Sequence, residues 1–365
     1  MHRPPLRADH IGSLLRPAAL RQAFRAFHAG ELDEGHFVAA QDAAIRDAIA
    51  LQQEVGLKVV TDGEFRRGSY WSCFVERTEG LAVSEARFEF HDERGHELAF
   101  TAPLVTGKVA RRAPIALDEF CFLRDNATAL PKVTLPSPST MHFWRGADYA
   151  VAGLYAGPRN FFRDLAKVYR DEIAGLAAAS CRYIQLDEVA LAMLCDPAVR
   201  NRVAADGGDP AALVELYVEA IAEAVAAASA DMAVGVHMCR GNFKGKYLAE
   251  GGYDEIAKVL FGCTGVTHFL LEFDTARAGD FRPLRHVAAD KSVVLGLVSS
   301  KNAVPEKLDD LLKRIEEAAR FIDKDRLAIS PQCGFASTVA GNPLSEADER
   351  AKLALCVEAA KAAWG

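Results

Sequence analysis

The sequence predicts an α/β protein built as a single (β/α)8 TIM barrel over residues 1–365, with a β-hairpin or meander inserted after strand 2. Two observations carry this expectation. Short β-branched runs alternate with longer Ala-rich amphipathic stretches, and the alternation repeats eight times. No Gly-x-Gly-x-x-Gly turn follows the first strand, which argues against an open doubly wound sheet, the alternative with the same alternation.

The first strand is expected at Leu6–Ser13, followed by a helix that starts near Pro17 and carries Leu20, Phe24 and Phe27. Asp33 is placed to cap a second helix running to Val55, with Gly56 ending it. Further strands are expected at Lys58–Glu64, Lys132–Pro138, Arg182–Glu188, Ala233–Cys239, His268–Phe273, Ser292–Ser299 and Leu327–Cys333. Helices are expected at Arg159–Ala179, Pro210–Ser229, Tyr253–Phe261, Pro305–Ile322 and Glu346–Ala363. The stretch from about 66 to 131 breaks this rhythm. It shows no long helical pattern. Arg87-Phe88-Glu89-Phe90-His91 alternates, Asp92-Glu93-Arg94-Gly95 offers a turn, and Glu97–Thr101 and Leu104–Val109 follow as strands.

Composition narrows the function. Half of the residues are apolar and 25% are charged, so a packed soluble core is expected and disorder is excluded. A net charge of −7 argues against nucleic-acid binding through a broad basic face. No run of 18 apolar residues suggests a membrane span, and Met1-His2-Arg3-Pro4-Pro5 lacks the apolar run of a signal peptide. The eight cysteines are scattered without paired spacing, which favours the reducing cytoplasm. Cys73, Cys121, Cys181, Cys195, Cys263 and Cys356 are expected in helical or inserted segments as inert thiols.

In a barrel the chemistry sits at the C-terminal ends of the strands. Here those ends read His10-Ile11-Gly12-Ser13, Asp62-Gly63-Glu64, Ser137-Pro138-Ser139 with His142 and Trp144 beyond, Asp187-Glu188, His237-Met238-Cys239, Glu272-Phe273-Asp274, Ser299-Ser300-Lys301 and Gln332-Cys333-Gly334. A single strand-end Asp or Ser often caps the next helix, and a lone buried His is commonly a core residue. The set from strands 5, 6 and 8 is sharper. His237 and Cys239 are two positions apart and share one face of a strand. Glu272 and Cys333 end neighbouring strands. Two sulfurs, one nitrogen and one oxygen form a tetrahedral Zn2+ set. Two thiolates make the metal a poor activator of water, and a carboxylate is the ligand most readily exchanged. Such a site suits an incoming thiol, kept as a nucleophilic thiolate in place of Glu272.

These residues, with Ile11-Gly12-Ser13, Gly63-Glu64-Phe65 and Ile184-Gln185-Leu186-Asp187-Glu188, resemble the cobalamin-independent methionine synthase family, in particular its short bacterial members equivalent to the catalytic C-terminal barrel. The coenzyme M alkyltransferases are related. The resemblance runs from about His10 to Ala363. It implies that His237, Cys239, Glu272 and Cys333 bind zinc, that Ile11, Gly12 and Ser13 hold the carboxylate of homocysteine, and that Glu64 and Asp187 hold its ammonium. Trp144 matches the aromatic residue beneath a folate pterin. Two positions depart from the family. Ser299 or its neighbour stands where the family has its proton-donating His, and Met193 stands where it has a carboxylate facing the pterin. His10 and His142 are the substitute proton donors, and the donor pocket is expected around Trp144, His142 and Phe100–Arg112. Lys108, Arg111 and Arg112 could attract an anionic donor.

The leading expectation is a cytoplasmic zinc-dependent thiol methyltransferase acting on homocysteine with a methyl donor, folate being one candidate, and forming a homodimer. It implies no nucleic-acid or membrane partner. Alkyl transfer to another thiol, from an epoxide or a non-folate donor, is the second reading. A non-catalytic zinc or thiol sensor is the third.

Overall fold

The computed structural model of the chain describes residues 6–90, 92, 95 and 98–365. The expectations placed on Met1–Pro5, His91, Glu93, Arg94 and Glu97 lie outside the described residues. Helices α1 (Ala18–His28) and α2 (Glu34–Glu54) precede strand β1 (Val59–Val60). Helix α3 (Ser72–Glu76) leads into β2 (Thr78–Phe90) and β3 (Leu98–Arg111), then α4 (Leu117–Asn126), β4 (Leu130–Pro131) and β5 (Val133–Pro136). The alternation continues with α5 (Pro158–Ala178), β6 (Tyr183–Asp187), α6 (Ala190–Met193), α7 (Pro197–Ala205), α8 (Pro210–Ala224) and β7 (Ala233–Met238). It ends with α9 (Asp254–Leu260), β8 (His268–Glu272), β9 (Ser292–Val298), α10 (Leu308–Ala318), β10 (Leu327–Pro331) and α11 (Glu346–Trp364).

Strands β5 to β10 form a parallel six-stranded sheet in sequential order. The sequence order is never reversed, as it would be in a doubly wound sheet. Every residue of β5, β6, β8, β9 and β10 is buried, which explains their continuous apolar character. The parallel register sets Asp187 of β6 beside His237 of β7. Strand β1 pairs with β4 as a separate parallel pair, Val59 with Leu130. Helix starts follow the capping signals. Asp33 accepts from His36 N, Asp209 from Ala211 N with Pro210 behind it, and Ser345 forms a capping box with Asp348. Among the described residues no helix is long and apolar enough to cross a membrane.

Two expected strands are largely absent, for an identifiable reason. In Leu6–Ser13 only Ala8 makes a bridge, to Ile329. Beyond it the Asp9 carboxylate takes the His10 N–H at 2.7 Å, Lys132 Nζ donates to the His10 carbonyl, and Gly12 turns out of the β region at φ 131°. In Lys58–Glu64 the ladder stops at Val60. Gln52 Oε1 takes the Thr61 N–H at 2.9 Å, and Gly63 and Glu64 adopt φ of 68° and 60°. Side chains thus occupy the backbone groups that a sheet would use.

The inserted segment is one antiparallel ribbon, β2 with β3, rather than a three-stranded meander. Pro103 pairs opposite Val83 without breaking it, because both strands of a two-stranded ribbon are edges. The segment also contains the helix α4, which the sequence reading did not expect. Its pattern is masked by Glu119, a charged residue that is buried beside Phe120 and Leu123. Cys181, Cys195 and Cys263 lie in loops and turns, not in helices, and all eight cysteines are free thiols.

Candidate metal centre and substrate cavity

At the C-terminal ends of β7 and β10, His237, Cys239 and Cys333 bring one ligand atom each within 4.8 Å of the others. The two sulfurs are 3.4 Å apart. His237 Nδ1 lies 3.2 Å from the Leu270 carbonyl, which can only accept, so Nδ1 carries the proton and Nε2 presents its lone pair. That Nε2 is buried with no hydrogen-bond partner. Burial opposes charge on this imidazole, but the Cys239 sulfur and the Asp187 carboxylate raise its pKa above the ordinary value. Contact with Cys333, and then burial, pushes the Cys239 thiol far up. An unused imidazole lone pair facing two buried sulfurs is the donor set a tetrahedral zinc ion accepts.

Glu272 stands outside this three-atom group. Its Oε2 accepts from Arg240 N at 2.6 Å, and Oε1 lies 3.4 Å from Arg277 Nη2. Burial would raise its pKa, but Lys301, Arg240 and Arg277 hold it below the ordinary carboxylate value, so it is an ionised group anchored at the end of β8.

The three ligand atoms open on a cavity of about 330 Å³ that Ile11, Ser13, Glu64 and Asp187 also line. Gly12 and Gly334 are required here. A Cβ on Gly12 would meet Thr134 Cγ2 at 2.6 Å, and one on Gly334 would overlap Ser13 Oγ. Glu64 sits in left-handed backbone, with its carbonyl held by Arg16 Nη2 at 2.8 Å. Its Oε1 accepts from Thr134 Oγ1 at 2.8 Å, while Oε2 is buried and unpartnered. Burial, offset by His237, pushes the Asp187 carboxyl up to about 7; Glu64 pushes the same way, and Gln185 Nε2 donates to it at 2.7 Å.

Trp144 lines the same cavity, buried at 3% exposure, with its Nε1 unpartnered. Phe100 and Phe88 meet it at steep interplanar angles of 86° and 80°. Phe90 and Phe100 from the ribbon, and Phe243, complete an aromatic wall. The sequence reading missed Tyr70, Trp71, Asn242, Ser337 and Thr338, which also line the cavity from loops. It also missed Arg67, which anchors Glu64. Tyr70 and Trp71 closely follow Gly63-Glu64-Phe65, the one signal that could have found them.

None of the three expected proton donors lines this cavity. His10 is buried, and burial together with Lys132 pushes its pKa down to about 3. His142 Nδ1 meets Tyr217 Oη at 2.8 Å and faces a second cavity, with burial lowering its pKa to about 4. Ser299 Oγ accepts from Lys301 N. Met193 is buried at the end of α6, away from the cavity lining. The cations expected to draw an anionic donor are engaged elsewhere. Arg111 pairs with Glu172 at 2.7 Å, and Lys108 lies 3.6 Å over the Tyr155 ring. Arg112 does not line the cavity either.

The chain matches the family described as cobalamin-independent synthase, catalytic domain, over residues 6–362. A Bacillus subtilis protein, YxjH, whose function is uncharacterised, is 38% identical over 99% of this chain and 95% of its own length. A methionine synthase from Pyrococcus abyssi is 28% identical over 92% of this chain and 88% of its own. A solved structure from Listeria monocytogenes superposes with a TM-score of 0.78 at 29% identity, covering 100% of both chains.

Proposed function

This chain belongs to the cobalamin-independent synthase catalytic-domain family, and we propose that it methylates the sulfur of homocysteine to give methionine, with zinc as its metal. The convergence of His237 Nε2, Cys239 Sγ and Cys333 Sγ on a cavity that also holds two acids carries this reading. Zinc, held by these three with Glu272 as exchangeable fourth ligand, would keep an arriving thiol ionised near neutral pH, where a free thiol with a pKa of about 8.5 is mostly protonated.

The rest is work for the protein's own side chains. Glu64 Oε2 is an unpaired acceptor and Asp187 is its neighbour, so together they suit the substrate ammonium. Ser13 and the backbone around Gly12 suit the carboxylate. With both ends of the amino acid held, the sulfur is fixed for in-line approach to a methyl carbon. We assign this chemistry to a single (β/α)8 domain. The sequential strand order, the β1–β4 pair and the Ala8–Ile329 bridge support closure into a barrel. Cytoplasmic residence and a homodimer belong to the same proposal.

The test is metal analysis followed by X-ray absorption during thiol addition. One zinc per chain is expected, with an oxygen neighbour replaced by a third sulfur when homocysteine is added. A protein that binds zinc with unchanged coordination in saturating homocysteine would refute thiol activation at this site.

A further inference from the structure

We propose that the methyl donor is a compact onium ion, a sulfonium or a quaternary ammonium, held against the aromatic wall beside the thiol site. This inference rests on the thiol-methylation reading above. Four observations lead to it. Among the described residues, the charged side chains lining the cavity, apart from the His237 imidazole, are the acids Glu64 and Asp187, with no Lys or Arg. An anionic donor such as a folate tail therefore meets no counter-charge from the described lining, and two acids instead. Lys108 and Arg111, on the ribbon, are committed to Tyr155 and Glu172.

The aromatic side chains then supply what a cation needs. Phe90, Phe100, Trp144 and Phe243 form a continuous group, with ring centroids 5.0 Å apart for Phe90–Phe100, 5.3 Å for Phe100–Trp144 and 5.4 Å for Phe90–Phe243. Tyr70 and Trp71 line the same space. Aromatic faces attract methylated cations through the ring quadrupole. The unpartnered Trp144 Nε1–H offers one donor for an oxygen elsewhere on such a molecule.

Volume points the same way. About 330 Å³ must hold both the acceptor and the reacting part of the donor. That is near the lower limit for a site taking even one drug-sized ligand.

The fourth observation concerns the leaving group. A folate nitrogen needs a proton as it departs; His10, His142 and Ser299 all lie outside the cavity, and Asp187 inside it is engaged with the substrate ammonium in the reading above. An onium donor needs none. The homocysteine thiol loses its proton to solvent on becoming a thiolate. A sulfur lone pair then forms the new S–CH3 bond while the bond from methyl to the onium atom breaks. Its electron pair returns to that atom, which leaves as a neutral sulfide or tertiary amine.

The experiment measures binding to the zinc-loaded full chain by titration calorimetry. The probes are trimethylsulfonium, tetramethylammonium, the neutral isostere 2-methylpropan-2-ol, and 5-methyltetrahydrofolate monoglutamate. At least one onium ion is expected to bind about tenfold tighter than the isostere. Phe100→Leu, on the half-buried ribbon, should weaken the onium ion while leaving the isostere unchanged. With homocysteine present, isotopically labelled methyl from each onium ion shows which of the two heteroatoms serves. Equal affinity for the onium ions and the isostere would overturn the proposal. So would equal losses in Phe100→Leu, or methionine formed from the folate alone. Methionine from the folate alone would leave the thiol-methylation reading standing. Failure of homocysteine to bind in the absence of any donor would instead remove that underlying reading.

Discussion

Arg67→Met should both destabilise the fold and loosen the amino-acid end of the cavity. The Arg67 guanidinium is 4% exposed and meets Glu119 Oε2 at 2.6 Å, Thr134 Oγ1 at 2.9 Å and the Thr134 carbonyl at 2.9 Å. Thr134 Oγ1 in turn donates to Glu64 Oε1, which lies 3.8 Å from Arg67 itself. One buried cation thus serves two buried carboxylates. Removing one partner of a buried pair costs about 3–5 kcal/mol, because a charge is left uncompensated. A chain of this length has an unfolding entropy of about 0.8 kcal/mol/K, so the melting temperature should fall by about 4–7 °C. Glu64, whose Oε1 is held through Thr134 and faces Arg67, should then lose its fixed position, weakening homocysteine by about tenfold or more. Adding Glu119→Met should restore part of the stability and none of the affinity, because Glu64 still lacks its counter-ion. Calorimetric melting and homocysteine titration read the two effects separately. A loss below about 1 kcal/mol with unchanged homocysteine affinity would refute the argument that Arg67 holds Glu64 in place.

Three further outcomes follow from the same geometry. Cys239→Ser combined with Cys333→Ser should abolish zinc binding, and full zinc occupancy in that protein would remove the assignment of the centre. Asp187→Ala should weaken homocysteine by about 1.5–3 kcal/mol while a thiol lacking the ammonium group is little affected, and equal losses would show that Asp187 does not hold the ammonium. Burial pushes the Glu349 carboxyl up to about 8, although its Oε2 accepts from Leu15 N at 2.7 Å. The folded chain therefore keeps that proton between the ordinary value of 4.5 and about 8, where the unfolded chain has lost it. Stability should fall as pH rises through this window, by at most about 1.4 kcal/mol per unit. Glu349→Gln should flatten the fall and melt higher than the parent at pH 8, and parallel pH profiles for the two proteins would count against it.

What the sequence could and could not show follows from which interactions are local. Strands β6 to β10 are buried throughout apart from Ala233 at the start of β7, so their apolar runs are visible without tertiary knowledge. The pair His237 and Cys239 is visible because two residues along a strand always share a face. The first two expected strands fail because Asp9 turns back onto its neighbour His10, and Gln52 and Lys132 reach in from elsewhere to take further backbone groups. The strand-end rule placed His10, His142 and Ser299 near a common mouth, but it fixes neither depth nor rotamer. His142 turns to Tyr217, and His10 sinks beside Lys132. The aromatic wall is the least legible part, because Phe90 and Phe100 reach the cavity only when the ribbon folds over it. Their alternation in sequence reports a strand and nothing of what it covers. The division has a consequence for specificity. The proposed metal ligands and the two acids sit at or just beyond strand ends of the parallel framework, whereas half of the aromatic wall hangs on an inserted ribbon that pairs chiefly with itself. A change of donor therefore needs only a change in the ribbon, while the acceptor chemistry at the strand ends stays as it is.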